Sequence, residues 1–243
     1  MSEPILIFTH IPKAAGTTMT EIIRSEFRAR EILNRDKMSG AEWTEQLRAV
    51  RPEVRVIVGH ARYGAHVHVS RPCRYFTILR DPIERAFSFY SYIRATPAHR
   101  LHDDVVSGRL GLIECIRQNR NLQTKFIAGS TAPAAGDIDE TDFELARQNL
   151  EHEYEVFGLA EEFAKSVLLF SHAFGWKARG YRSRNVTADR VARADVDAEV
   201  LDEIQRANRL DIRLHEFARQ LFEQRVAAQP SGFAGELAIL QSR

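Results

Sequence analysis

Three short runs of consecutive apolar, β-prone residues punctuate the first third of the chain: Pro4-Ile-Leu-Ile-Phe-Thr-His10, Val54-Arg-Val-Ile-Val-Gly59 and Arg74-Tyr-Phe-Thr-Ile-Leu79. Runs of this length suit parallel strands buried on both faces. Between and beyond them the apolar spacing becomes helical. A helix is predicted from Met19 to Arg30, and Ser39-Gly-Ala-Glu42 is a capping box opening another through Val50. Asp81-Pro-Ile-Glu84 combines a capping carboxylate, a proline suited to the first helical position and a glutamate that completes a box. The helix it opens is predicted to reach Arg94, with Ile83, Phe87, Tyr90 and Ile93 toward the core and Ser88 on the other side, one turn beyond Glu84.

Helices dominate after residue 100: Leu112 to Gly129 in one or two pieces, one opened by a capping box at Thr141-Asp-Phe-Glu144, Glu161 to Gly175, and one or two from Asp195 to Val226. Glu155-Val-Phe-Gly-Leu159 is a fourth candidate strand, and Tyr181 to Thr187 a polar, basic loop. Strands alternating with helices predict one layered α/β domain over residues 1–226, with a central, mainly parallel sheet and a helical C-terminal part. Residues 227–243 are expected to form a loosely held tail.

Composition narrows the chemistry. At 44% hydrophobic and 28% charged residues the chain is an ordinary globular one, which excludes disorder as its main state. Lys and Arg number 34 against 33 Asp and Glu, a net charge of +1, so no global field favours nucleic acid and any anion site must be local. No window approaches the roughly 20 apolar residues of a membrane span. The amino-terminal apolar run lacks the length and positive flank of a signal peptide. The expectation is a soluble, cytoplasmic protein in which Cys73 and Cys115 are buried free thiols, too few for a disulfide framework or a cysteine zinc site.

Ligands of open parallel sheets bind beyond the carboxyl ends of the strands, and here the first three strands deliver His10 to Lys13, His60 and Arg80 to that edge. Pro12-Lys13-Ala14-Ala15-Gly16-Thr17-Thr18 is a small-residue strand-to-helix turn whose backbone amides can close around phosphate oxygens, with Lys13 adding a full charge and the threonines hydroxyls. Its order differs from Walker A, where lysine follows the last glycine and a Ser/Thr comes directly after it. No strand-end carboxylate offers itself as a magnesium ligand, so the loop reads as built for phosphate without a metal. In Arg80-Asp-Pro-Ile-Glu-Arg-Ala-Phe-Ser88, a guanidinium and a hydroxyl suit a phosphate monoester. The competing structural readings are a plain glycine-containing turn, and an Arg80 paired with Asp81 or Glu84.

His10-Ile-Pro-Lys-Ala-Ala-Gly-Thr-Thr18 resembles the 5′-phosphosulfate loop of carbohydrate sulfotransferases related to heparan sulfate 2-O-sulfotransferase, and Arg80 to Tyr90 resembles that family's 3′-phosphate motif. The similarity covers roughly residues 4–94, with weaker likeness at Asn121-Leu-Gln-Thr124 and through the late helices. The resemblance implies a P-loop-like fold and transfer of a sulfuryl group from 3′-phosphoadenosine-5′-phosphosulfate (PAPS) to a sugar hydroxyl. It implies that Lys13, Ala14, Ala15, Gly16, Thr17 and Thr18 hold the 5′-phosphosulfate, that Arg80 and Ser88 hold the 3′-phosphate, and that His60 is the base. Arg184 and Thr187 would close over the 3′-phosphate and adenine, and Arg62 and Tyr63 would touch the acceptor. Histidine's ordinary pKa near 6.5 suits removal of a hydroxyl proton; without the flanking motifs, a strand-end histidine bonded to backbone would be the better reading.

His10 is a second candidate base whose place in the loop points to support of that loop. His66 and His68 lack further ligands at suitable spacing, so no metal site is expected. Asn121, Gln123 and Thr124 have no role that their positions assign, and a buried polar helix face accounts for them equally well. Animal relatives carry a membrane anchor and a lumenal stem, whereas this chain reads as a compact, bacterial-type member. A saccharide, a glycolipid or another hydroxylated metabolite is the expected acceptor, with no nucleic-acid partner. The alternatives are a non-catalytic protein that binds PAPS or 3′,5′-ADP, which needs Lys13 and Arg80 but not His60, and a P-loop-like nucleotide kinase.

Overall fold

A computed structural model describes residues 3–36, 38–132, 137–177, 181, 191 and 193–242. Among them β1 (Ile5–Thr9), β2 (Ile32–Asn34), β3 (Val56–Val58), β4 (Cys73–Leu79) and β5 (Tyr154–Leu159) form one sheet in the order β2-β3-β1-β4-β5, every pairing parallel. The helices are α1 (Gly16–Glu26), α2 (Gly40–Arg48), α3 (Pro82–Ala95), α4 (His102–Val106), α5 (Leu112–Arg117), α6 (Leu122–Ala128), α7 (Glu140–Gln148), α8 (Phe163–Phe174), α9 (Ala198–Ala207), α10 (Arg209–Ala227) and α11 (Phe233–Gln241). The expected α/β layering holds, and it places β1 between β3 and β4. The segments that follow those three strands therefore leave one edge side by side, each about 4.8 Å from the next.

All five residues of β1 are buried, as are all three of β3, in keeping with apolar strands covered on both faces. Phe8 and Phe76 on neighbouring strands pack with ring centres 5.0 Å apart, and Phe76 meets Phe170 and Phe174 of α8 and Trp176. At the carboxyl end of β1 the core becomes polar. Thr77 donates to the Thr9 carbonyl at 2.7 Å, and the Tyr154 hydroxyl bonds Thr9 Oγ1 at 3.0 Å, satisfying groups that burial would otherwise leave costly.

The capping box predicted at Ser39 forms, and Asp81 accepts from the Glu84 amide at 2.9 Å as expected, but its own amide donates to Glu161 at 2.8 Å where the expected box has Glu84. Four elements depart from expectation. The first helix stops at Glu26 rather than Arg30, because Phe27 is extended and residues Ala29–Glu31 tighten into a 3₁₀ turn, with the Arg28 amide donating to Glu31 at 2.7 Å. That turn feeds β2, an edge strand of three residues with only Leu33 buried, too short to show as an apolar run. Helix α7 begins after Asp139, whose carboxylate accepts from the Thr141 and Asp142 amides, in place of a cap at Thr141. Residues after Ala227 form α11, which packs on α8 and buries Phe233 and Leu240, where a loose tail was expected. Of the two free thiols Cys115 is buried, but Cys73 is half-buried at the start of β4.

Helices α6 and α10 cap each other inside the protein. The Asp211 carboxylate, fully buried, accepts from the Gln123 amide at 3.1 Å and from the Thr124 amide and hydroxyl at 2.8 Å each. In return Asn121, in the left-handed region at φ 49°, accepts with its side-chain oxygen from the Leu210 and Asp211 amides, while its own amide donates to Asn208. The charge is matched by Arg85 of α3, also fully buried, whose Nη2 lies 4.0 Å from Asp211 and donates to the Asn119 carbonyl at 3.1 Å. Asn121, Gln123 and Thr124 thus belong to a structural joint between three helices. Removing Asp211 would leave several orphaned donors and a buried guanidinium without its counter-charge, so Asp211→Ala is expected to cost about 3–5 kcal/mol. Urea denaturation of the variant checks this, and a loss under 1 kcal/mol would count against the joint.

Candidate active site

The turn from β1 into α1 is built on two strained residues. Lys13 and Ala15 adopt φ of 68° and 58°, left-handed values that cost a non-glycine residue roughly 1–2 kcal/mol each. Ala14 between them is buried, and Ala15 offers no side chain to cap α1, leaving the positive end of that helix turned to the sheet edge without a side-chain cap. Gly16 is needed for another reason: a Cβ there would lie 1.9 Å from His10 Cδ2, so only glycine admits the His10 imidazole against the start of α1.

Lys13 and Arg80 are brought together across the β1–β4 boundary. Arg80 Nη1 donates to the Lys13 carbonyl at 3.1 Å, and the Lys13 ammonium sits 4.1 Å from the centre of the Tyr92 ring in α3. Burial, and after it the Arg80 charge, pull the Lys13 pKa down to about 8. Ser88, buried in the same helix, lies one turn before Tyr92 and hence on the face that meets the loop. The main chain of Arg80 is clasped by the Gln123 carboxamide, which accepts from its amide at 2.9 Å and donates to its carbonyl at 2.8 Å.

His60 is held twice. Its amide donates to Asp36 Oδ1 at 3.0 Å, and its Nδ1 bonds the His10 carbonyl at 2.7 Å. A carbonyl can only accept, so Nδ1 carries the hydrogen and the neutral ring keeps its lone pair on Nε2. Gly59, at φ 118°, makes room for this: a Cβ there would meet Asp36 Oδ1 at 2.7 Å. The His10 and His60 rings lie 4.4 Å apart. Burial first, then the neighbouring His60, push the His10 pKa down to about 4. One donor atom from each of His10, Asp36 and His60 lies within 4.8 Å of the others, a set a divalent cation can use. The bonds of Asp36 and of His60 Nδ1 already account for the placement of those two residues.

Arg62 and Tyr63 point into the protein's own framework. Arg62 donates to the Ser130 and Ala132 carbonyls and covers Phe126, while the Tyr63 amide donates to the Phe126 carbonyl at 2.9 Å and its ring packs on Tyr75, Tyr154 and His66. Burial and Glu153 push the Tyr63 phenol up to about 12. His66 bonds the Tyr75 hydroxyl at 3.0 Å. Arg184 and Thr187 lie outside the described residues. Sequence reasoning missed Asp36, Tyr92 and the bonds of Gln123 to the Arg80 main chain. Tyr92 was available as the residue four places after Ser88; Asp36 follows a strand that leaves no apolar signature.

A family model described as "Sulfotransferase family" matches residues 3–218. The chain belongs to the sulfotransferase family. Among curated sulfotransferases, heparan sulfate 2-O-sulfotransferase 1 of Gallus gallus is 24% identical over 202 residues, covering 72% of this chain and 56% of its own length. Heparan-sulfate 6-O-sulfotransferase 1 of Homo sapiens is 25% identical over 216 residues, covering 76% and 51%. The chain thus spans about half the length of the curated relatives it matches. Mouse sulfotransferase SULT7A1, solved with PAP, matches at a TM-score of 0.41 and 16% identity over 85% of this chain and 63% of its own. No helix among the described residues is long and apolar enough to cross a membrane.

The His10 pKa makes a stability prediction. Because the native ring resists protonation until about pH 4 while an unfolded histidine takes a proton near 6.5, the unfolded state binds more protons in that window. Stability therefore falls as pH drops through it, by about 3 kcal/mol for this group. Urea titrations at pH 7 and pH 4.5 are expected to show a smaller acid loss for His10→Gln than for the wild type; equal losses would reject the assignment.

Proposed function

We propose that this sulfotransferase moves the sulfuryl group of PAPS to a hydroxyl of a saccharide-type acceptor, with His60 as base and no metal required. The observation that carries this reading is the Arg80–Lys13 contact at the edge from which His60 also emerges. It sets two cations beside a turn built for an anion, with the His60 imidazole one strand away. The donor's chemistry fits: a 5′-phosphosulfate needs charge and amides near Lys13 and the start of α1, and a 3′-phosphate needs the guanidinium of Arg80 and the hydroxyl of Ser88.

In the reaction, the acceptor hydroxyl attacks sulfur while His60 Nε2 takes its proton. The bond from sulfur to the bridging phosphate oxygen breaks, and Lys13 meets the negative charge that grows on that oxygen. The Nδ1–H bond to the His10 carbonyl holds the ring in the tautomer this step needs. Positioning and electrostatics supply most of the acceleration, as in other in-line group transfers. The relatives named for heparan sulfate support a carbohydrate acceptor.

Three outcomes test the reading. Calorimetry is expected to show metal-independent binding of 3′,5′-ADP in preference to AMP and ATP. His60→Ala keeps that binding while sulfate transfer falls by roughly two to four orders of magnitude; unchanged turnover removes His60 from the mechanism, and wild-type protein that binds but never transfers is a PAPS-binding protein instead. Affinity for 3′,5′-ADP is also expected to decline above pH 8, where the free protein's Lys13 loses its proton, by at most about tenfold per pH unit. A flat profile to pH 9.5 would remove Lys13 from the anion site.

A further inference from the structure

The main chain at Arg80 is where the sheet runs out. The β4–β5 ladder ends with Leu79 opposite Leu159, and the β1–β4 ladder ends with Thr77 opposite Thr9. Arg80 is the first residue beyond both, so neither neighbouring strand pairs its amide and carbonyl. Buried backbone groups in that position need partners from elsewhere. Gln123 supplies both, accepting from the Arg80 amide at 2.9 Å and donating to its carbonyl at 2.8 Å, so the carboxamide continues the sheet by one residue in place of a strand. Glutamine is the fitting residue because its side chain carries the donor and the acceptor of a peptide group.

The clasp itself is anchored. Gln123 is fully buried in α6, and its main-chain amide is fixed by the Asp211 carboxylate of α10. On the far side, the Arg80 guanidinium reaches the Lys13 carbonyl. A chain of bonded groups therefore runs from a buried carboxylate, through a side-chain amide, to the main chain that aims the guanidinium. We infer that Gln123 is a positioning residue that sets the aim of Arg80 and, through it, the selectivity of the site for a nucleotide bearing a 3′-phosphate. This rests on the reading of Arg80 as the 3′-phosphate ligand.

The test uses the full chain and the ratio of 3′,5′-ADP to 5′-AMP affinities by calorimetry. Wild-type protein is expected to prefer 3′,5′-ADP, and Arg80→Ala to abolish the preference. Gln123→Met, close in volume but without either bond, is expected to reduce the ratio by about tenfold, the loss of one well-aimed charged hydrogen bond, with AMP affinity nearly unchanged. Thr124→Val, which removes a bond to the same Asp211 carboxylate without touching Arg80, is expected to lower the melting temperature and leave the ratio intact. A merely structural Gln123 would behave like Thr124. If Gln123→Met does not fold, Gln123→Asn, whose amide is one methylene short of the Arg80 main chain, gives the same readout. A wild-type ratio in the Gln123 variant that folds overturns the inference while the Arg80 reading stands. A wild-type protein indifferent to the 3′-phosphate, or an Arg80→Ala protein that keeps the preference, overturns both.

Discussion

Parallel pairing of β1 with β3 on one side and β4 on the other is the constraint from which the rest follows. Parallel strands run the same way, so their exits gather at one edge, and a strand with two such neighbours has its own exit flanked by theirs. The apolar character of the three strands suits this arrangement, in which each is covered on both faces. His10 and Lys13, His60, and Arg80 are separated by tens of residues in sequence, yet they meet because the strands before them lie side by side, β1 between β3 and β4.

Around that edge the protein concentrates features that cost stability. Two left-handed non-glycine residues, a lysine beside an arginine and a histidine kept from its proton all lie within one turn and its neighbours. The groups at this edge are held in place by their surroundings: the glycine that admits His10, the aspartate that fixes the His60 amide, the carboxamide that completes Arg80. Buried Asp211 matters for the same reason, because it joins α6 and α10 and stands beside Arg85 of α3, the helix that also carries Ser88 and Tyr92.

Much of this was legible from residue order. The strands β1, β3 and β4 appear as apolar runs, and the cap at Asp81 is a local signal that needs no tertiary help. What escaped is what depends on distant partners. Strand β2 has one buried residue and exists because β3 offers it an edge. Residues 121–124 look like an unexplained polar stretch until α10, nearly ninety positions later in the chain, brings Asn208 and Asp211 to them. Helix α11 forms because α8 leaves a place for Phe233 and Leu240. Gly16 could be seen as a loop glycine, but the reason for it, an imidazole lying where a methyl would go, is visible only in three dimensions.

The contorted backbone at Lys13 carries an evolutionary corollary. Glycine at that position would relax the turn and make the folded chain sturdier, yet it would erase the ammonium that rests on Tyr92. On the reading of Lys13 proposed above, selection for robustness and selection for turnover pull this one codon in opposite directions, and a variant selected for thermostability alone would surrender the lysine first.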